Sequence, residues 1–197
     1  MTRTGTQRMR TILWSAAVFL SLSGPAVFGA ESATLATAPG ATMKAISFTH
    51  FGDSSVLQYD DLPRPVPGAG EVLVRVRAAS VNPADWKSRA GQYARGPLAS
   101  AVVPGFDVAG DVVAAGAGVT AFKTGDAVYA MLPLNRSGGY AQFVSVPVAN
   151  VATKPQRADY IHAAAVPLAA LTAWQALFDV AKIAAGQTVS CMAVPVG

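Results

Sequence analysis

Pro63, Pro65, Pro67, Gly68 and Gly70 crowd into one short stretch directly ahead of a run in which Val72, Val74 and Val76 alternate with Leu73, Arg75 and Arg77. Proline offers no backbone N–H to a helix or a sheet ladder, so no helix and no central strand runs through this stretch. The run 71–81 (EVLVRVRAASV) is then a strand with one apolar and one mixed face, entered from a turn. The same punctuation recurs down the chain. Strand patterns stand at 44–48 (KAISF), 107–113 (DVAGDVV), 127–131 (AVYAM) and 140–146 (YAQFVSV), and a turn at 122–126 (FKTGD) separates two of them. One short helix interrupts the series at 83–90, with Pro83 at its start and Gly91 as its stop. Short strands between Gly/Pro turns predict a compact β-barrel or sandwich. With 52% hydrophobic and 13% charged residues, the chain has enough apolar surface to close such strands over a core and is not of the disordered class. Its single cysteine excludes a disulfide scaffold and a Cys-rich zinc site.

The pattern changes after residue 158. Residues 158–165 (ADYIHAAA) are helical in composition, and Leu171, Trp174, Leu177, Phe178 and Ala181 recur at steps of three and four, which predicts an amphipathic helix over 168–182. Gly186 to Val189 reads as the opening of a further strand.

The formal charge of +4 belongs mostly to the beginning of the chain. Residues 1–30 hold Arg3, Arg8 and Arg10 and no acid, which leaves 12 basic against 11 acidic residues in the remainder. A body near neutrality gives no footprint for nucleic acid. The basic start, an apolar run and the small residues Gly29 and Ala30 form the pattern of a secretory signal peptide over 1–30. Pro25 and the shortness of the run argue against a stable membrane span, which needs about 20 apolar residues. An uncleaved anchor and translation from Met43 are the other readings. On the last, 31–42 (ESATLATAPGAT) is a small-residue linker ahead of the folded part. The leader implies a periplasmic or secreted protein, and a start at Met43 a cytoplasmic one.

Four segments in order carry a resemblance: 79–91 (ASVNPADWKSRAG), 103–113 (VPGFDVAGDVV), 137–143 (SGGYAQF) and 165–177 (AVPLAALTAWQAL). Together they resemble the medium-chain dehydrogenase/reductase superfamily, in its zinc-independent quinone oxidoreductase-like branch. The resemblance implies a GroES-like β-barrel for substrate over 43–158, followed over 159–197 by the first helices and strand of an incomplete Rossmann α/β domain. It implies NADP(H) as cofactor and hydride transfer to a quinone or an α,β-unsaturated carbonyl, a small-molecule substrate. In zinc-dependent relatives a cysteine stands at the position of Asn82, a histidine at that of Phe106 and a second cysteine about where Leu168 stands. None of the three side chains here is a good zinc ligand, so no metal site is expected.

By the same resemblance Asn82 lies at the nicotinamide and substrate pocket, where its amide could donate to a carbonyl or to the cofactor ribose. Its plain alternative is a loop asparagine that satisfies its own turn. Lys87 faces the active site in relatives with a similar run and could polarise a carbonyl; otherwise it is an exposed lysine on a short helix. Thr172 matches a threonine that contacts the nicotinamide end of the cofactor; otherwise its hydroxyl bonds within its own helix. Asp85 and Arg89 read as a structural i,i+4 pair, Tyr140 as a strand residue, and His50 and His162 as isolated structural histidines.

The tail departs from the family pattern. A glycine-rich phosphate turn is expected after Val189, and SCMAVPVG stands there, with Pro195 against both strand and turn. Codons for this octet, read from the third base of each preceding codon, allow Leu-Val-His-Gly-Gly-Ser-Gly-Gly, a loop of the expected kind. A reading-frame shift near codon 190 is the expectation that follows. On it the chain lacks the phosphate loop, does not bind NADP(H) and is catalytically incomplete. A non-catalytic, secreted GroES-like binding module or pseudo-enzyme is the competing function. Helix 168–182 would then expose Leu171, Trp174, Leu177 and Phe178 and favour self-association.

Overall fold

The computed structural model describes residues 37–94 and 96–190. The expected signal peptide and the tail from Cys191, for which a frame shift is expected, lie outside the described residues.

Seven strands form two antiparallel sheets. Strands β1 (Thr37–Ser47) and β2 (Gln58–Pro65) pair with each other. Strands β3 (Glu71–Ser80), β4 (Asp107–Ala115), β5 (Ala127–Met131), β6 (Phe143–Pro147) and β7 (Val151–Thr153) form the second sheet in the order β6-β3-β4-β5-β7. Isolated bridges join Ala45 of β1 to Ala141, just ahead of β6, and Phe48 to Val102. The expected barrel is thus a two-sheet β structure that does not close into one continuous ladder among the described residues. The first strand begins at Thr37 rather than Lys44, within the stretch read as linker. The proline-rich stretch supplies the end of β2, where Pro63 and Pro65 sit in a two-stranded ribbon whose other edge needs no donor.

Alternation decides which side chains enter the core. Val72 and Val74 of β3 meet Val108 and Val112 of β4, Val128 and Ala130 of β5, and Val144 and Val146 of β6. These valines are almost wholly buried, each worth roughly 1.5–3 kcal/mol relative to exposure. Strand β4 is buried on both faces over Asp107, Val108, Ala109 and Gly110, as befits the central strand. Its second face is covered by helix α2 (Tyr160–Ala164), whose Ala163 and Ala164 pack on Ala109. At Gly110 a Cβ would lie 2.0 Å from the Arg75 carbonyl oxygen, so only glycine fits there between β4 and β3.

Helix α1 (Pro83–Arg89) starts as expected at Pro83 and ends near Gly91, whose φ of 79° suits glycine. The long helix expected at 168–182 is divided. Helix α3 (Pro167–Trp174) is regular, Gln175–Val180 is wound as a π-helix, and Lys182 just beyond it has a φ of 48°. The wider turn breaks the steps of three and four that predicted one apolar stripe. Trp174 and Phe178 stack on each other with centroids 4.5 Å apart instead of sharing a buried seam. Leu171, Trp174 and Phe178 are exposed, as expected, while Leu177 is half-buried and Leu168 packs on the core.

The chain's contacts divide after Lys182, and 183–190 is described by itself. It forms a turn, not the strand expected at Gly186: Ala184 N–H donates to Gln187 Oε1 at 2.8 Å and Gly186 has a φ of 84°. Among the described residues no helix is long and apolar enough to cross a membrane.

Candidate active site

Four elements end at one buried carboxylate. Asp107 opens β4 with none of its surface exposed. Ser80, the last residue of β3, donates its hydroxyl to Asp107 Oδ2 at 3.1 Å. Asn82, the residue ahead of α1, turns its amide nitrogen onto Asp107 Oδ2 at 3.0 Å and onto Ser80 Oγ at 3.1 Å. The backbone N–H of Leu168, in the first turn of α3, donates to both Asp107 oxygens at 3.0 and 3.1 Å. Burial pushes the Asp107 carboxyl up from its ordinary range, and the donors from Asn82, Leu168 and Ser80 oppose that push. A carboxylate at a free helix N–H is also favoured by the helix dipole.

Asn82 starts α1 in extended backbone and forms a capping box with Asp85. The Asn82 N–H donates to Asp85 Oδ2 at 2.6 Å, and the Asp85 N–H to the Asn82 carbonyl at 3.0 Å. Asp85 Oδ2 also accepts from the Tyr140 hydroxyl at 2.9 Å, while Asp85 Oδ1 is buried with no hydrogen-bond partner. Burial, and next the Asp85 carboxylate, hold the Tyr140 hydroxyl well above its ordinary range, so Tyr140 stays a neutral donor. Tyr140 is delivered by Gly138 and Gly139, whose N–H groups both donate to the Gly105 carbonyl at 3.1 and 3.0 Å. That segment is clamped by Glu71, which accepts from both guanidinium nitrogens of Arg136, from Ser145 Oγ at 2.6 Å and from Gly68 N–H at 3.0 Å.

The residues singled out from sequence fall in different places. Asn82 is inside the junction with 9% of its surface exposed, and its amide nitrogen is turned inward. The structure therefore sets it in an inward-facing arrangement rather than with the nitrogen free to donate to a substrate carbonyl. Thr172 is on the exposed face of α3, one turn beyond Leu168, and its hydroxyl donates to the Leu168 carbonyl at 2.7 Å. That leaves the Thr172 oxygen as an acceptor. Lys87 is not joined to either residue; its ammonium stands 5.5 Å from the Trp86 ring centre. The Asp85–Arg89 pair does not form, because Asp85 is buried against Tyr140 and Arg89 Nε donates to the Gly52 carbonyl. Tyr140 lies ahead of β6 rather than in a strand. His162 is not isolated: Asp159, which caps α2, lies 2.7 Å from its Nδ1. Among the described residues no group of His, Cys, Asp or Glu is arranged to hold a metal ion.

Asp107, Asp85 and Ser80 were not read as site residues from the sequence, although two signals were present. A charged residue opening an otherwise apolar, buried-type strand needs partners, and Asn82-Pro83-Ala84-Asp85 has the spacing of a helix-start box.

The alcohol dehydrogenase GroES-like domain matches residues 68–156. The chain is 38% identical over 146 residues to a chloroplast envelope quinone oxidoreductase homolog of Arabidopsis thaliana, covering 73% of this chain and 44% of that relative. It is 36% identical over 155 residues to a 2-methylene-furan-3-one reductase of Solanum lycopersicum, covering 75% of this chain and 40% of that relative. A mycobacterial protein solved in complex with NADPH superposes with a TM-score of 0.65 at 36% identity, over 72% of this chain and 41% of that one. The chain thus spans less than half the length of the relatives it matches, and residues 68–156 are the part that matches the GroES-like domain. With the fold, the four ordered motifs and these identities in agreement, the chain belongs to the medium-chain dehydrogenase/reductase family, in its quinone oxidoreductase-like branch.

Proposed function

We propose that this chain carries the substrate side of an NADP(H)-dependent oxidoreductase that reduces a quinone or an α,β-unsaturated carbonyl. The names of the relatives, a quinone oxidoreductase homolog and a furanone reductase, support the substrate class, and the NADPH-bound neighbour supports the cofactor. The observation that carries the reading is the junction at Asp107, which brings positions 82 and 168 onto one carboxylate. Those are the positions where zinc-dependent relatives keep cysteines, so the chain builds its site there from an amide, a backbone N–H and a carboxylate. An amide at 82, a phenyl ring at 106 and an isobutyl group at 168 favour a reaction without zinc.

The residues present fit the nicotinamide end of the cofactor. The Thr172 oxygen is exposed and free to accept, which suits a ribose hydroxyl or a carboxamide N–H. NADPH, when bound, supplies the hydride. This chain's residues hold the site in shape: Asp107 fixes Asn82 and the start of α3, and Asp85 holds Tyr140 as a neutral donor. Lys87 retains the role of a cation near the substrate, since no acid holds its ammonium elsewhere among the described residues.

The test is a titration of the purified chain with reduced nicotinamide mononucleotide, and in parallel with 2-cyclohexenone, followed by NMR. The reading expects saturable shifts at Asn82 and Thr172 with the mononucleotide and at Asn82 and Lys87 with the enone. Saturable binding that leaves all three residues unmoved, or no binding of either probe, overturns it.

A further inference from the structure

We infer that Asp107 is the positioning residue of this site, and that its carboxylate sets Asn82 and the Thr172-bearing helix α3 in register with one another. The inference rests on the proposed function for what that register serves, and on the hydrogen bonds alone for its existence. Asp107 has no surface exposed, and its partners come from three separate places in the chain: the end of β3, the start of α1 and the start of α3. Leu168 is 61 residues away in sequence from Asp107. No other side chain among the described residues accepts from the N–H of Leu168. Loss of the carboxylate therefore frees the start of α3, and with it Thr172, whose hydroxyl is anchored on the Leu168 carbonyl.

The donor pattern makes the inference specific to a carboxylate. Oδ2 faces the Asn82 nitrogen at 3.0 Å, and Oδ1 faces the Leu168 nitrogen at 3.0 Å. In Asp107→Asn one of these oxygens becomes an NH2 group. Turned one way it meets the Leu168 donor, and turned the other way it meets the Asn82 donor. With the amide nitrogen at the Oδ1 place it faces the Leu168 donor, which keeps only its 3.1 Å contact to the other oxygen and shares that oxygen with Asn82 and Ser80; with the nitrogen at the Oδ2 place, Asn82 and Ser80 both lose their acceptor. Exchanging the two residues, Asn82→Asp with Asp107→Asn, restores the match. The new amide donates to the new carboxylate at 82 while its oxygen accepts from Leu168.

The experiment compares the parent chain, D107N, N82D and the double variant N82D/D107N. Hydrogen exchange of the Leu168 amide and the affinity for reduced nicotinamide mononucleotide are read together. Exchange at Leu168 should quicken at least about tenfold in D107N, affinity should fall at least about tenfold, and both should return to within about threefold of the parent in the double variant. Unchanged exchange at Leu168 in D107N, or a double variant no better than its worse single, overturns the inference. If D107N does not fold, the comparison of N82D with the double variant decides: an exchange that fails to improve on N82D overturns it. A parent chain that binds no mononucleotide defeats the proposed function instead, and the exchange measurements still decide the role of Asp107.

Discussion

Replacing Glu71 by Gln should loosen the segment that presents Tyr140, and the cost follows from the structure. The Glu71 side chain is 15% exposed and pairs with Arg136, itself 31% exposed. Chiefly the Arg136 hydrogen bond, with help from Ser145 and the Gly68 N–H, lowers the Glu71 carboxyl from 4.5 to about 2. At 1.36 kcal/mol per pKa unit the native state favours the charged form by at most about 3 kcal/mol. Water around the partly open guanidinium reduces the expected loss in Glu71→Gln to about 1–2 kcal/mol at neutral pH. The sign with pH is fixed by the direction of the shift. A folded value below the unfolded one means the stabilisation is complete above about pH 4.5 and fades as pH falls toward 2. Urea unfolding of parent and variant at pH 7 and pH 3 tests this. The gap should be about 1–2 kcal/mol at pH 7 and clearly smaller at pH 3. A gap below 0.5 kcal/mol at pH 7, on the order of an ordinary surface change, or one that does not shrink with acid, refutes the reasoning.

Gly110→Ala should cost more than about 3 kcal/mol or prevent folding, because its Cβ would lie 2.0 Å from a backbone oxygen that cannot step aside; circular dichroism melting decides. Tyr140→Phe should lose about 1–2 kcal/mol in chemical denaturation, since it takes the hydroxyl from Asp85 Oδ2 and leaves that buried carboxylate held by the Asn82 N–H, with Oδ1 already lacking a partner. Trp174 is 59% and Phe178 44% exposed, so the chain should associate in a concentration-dependent way in sedimentation velocity, and Trp174→Ser with Phe178→Ser should reduce it; an ideal monomer in the parent contradicts the expectation.

Much of the sheet was legible because valine alternation and Gly/Pro punctuation are local signals. Strand 127–131 falls where the pattern put it, and β3 differs only at its end. Strand β2 was hidden by its prolines, which forbid a central strand but not a two-stranded ribbon. Strand β7 is too short, at 3 residues, to show a period. The helix after Pro167 was legible in place but not in pitch, since a stripe at steps of three and four presumes one winding throughout. Among site residues, Asn82 and Thr172 came from the family resemblance. Asp107, which joins them through Leu168, did not, because its three partners lie far apart in sequence and only the fold brings them to one point.

One carboxylate, Asp107, holds Asn82 and the start of α3 together. Scalar coupling across hydrogen bonds, measured by NMR on the parent chain, reads those contacts directly. Couplings from the Asp107 carboxyl carbon to the Asn82 side-chain nitrogen and to the Leu168 backbone nitrogen are the predicted result. Absence of both couplings, with the Leu168 amide exchanging as fast as an unprotected one, would contradict the account.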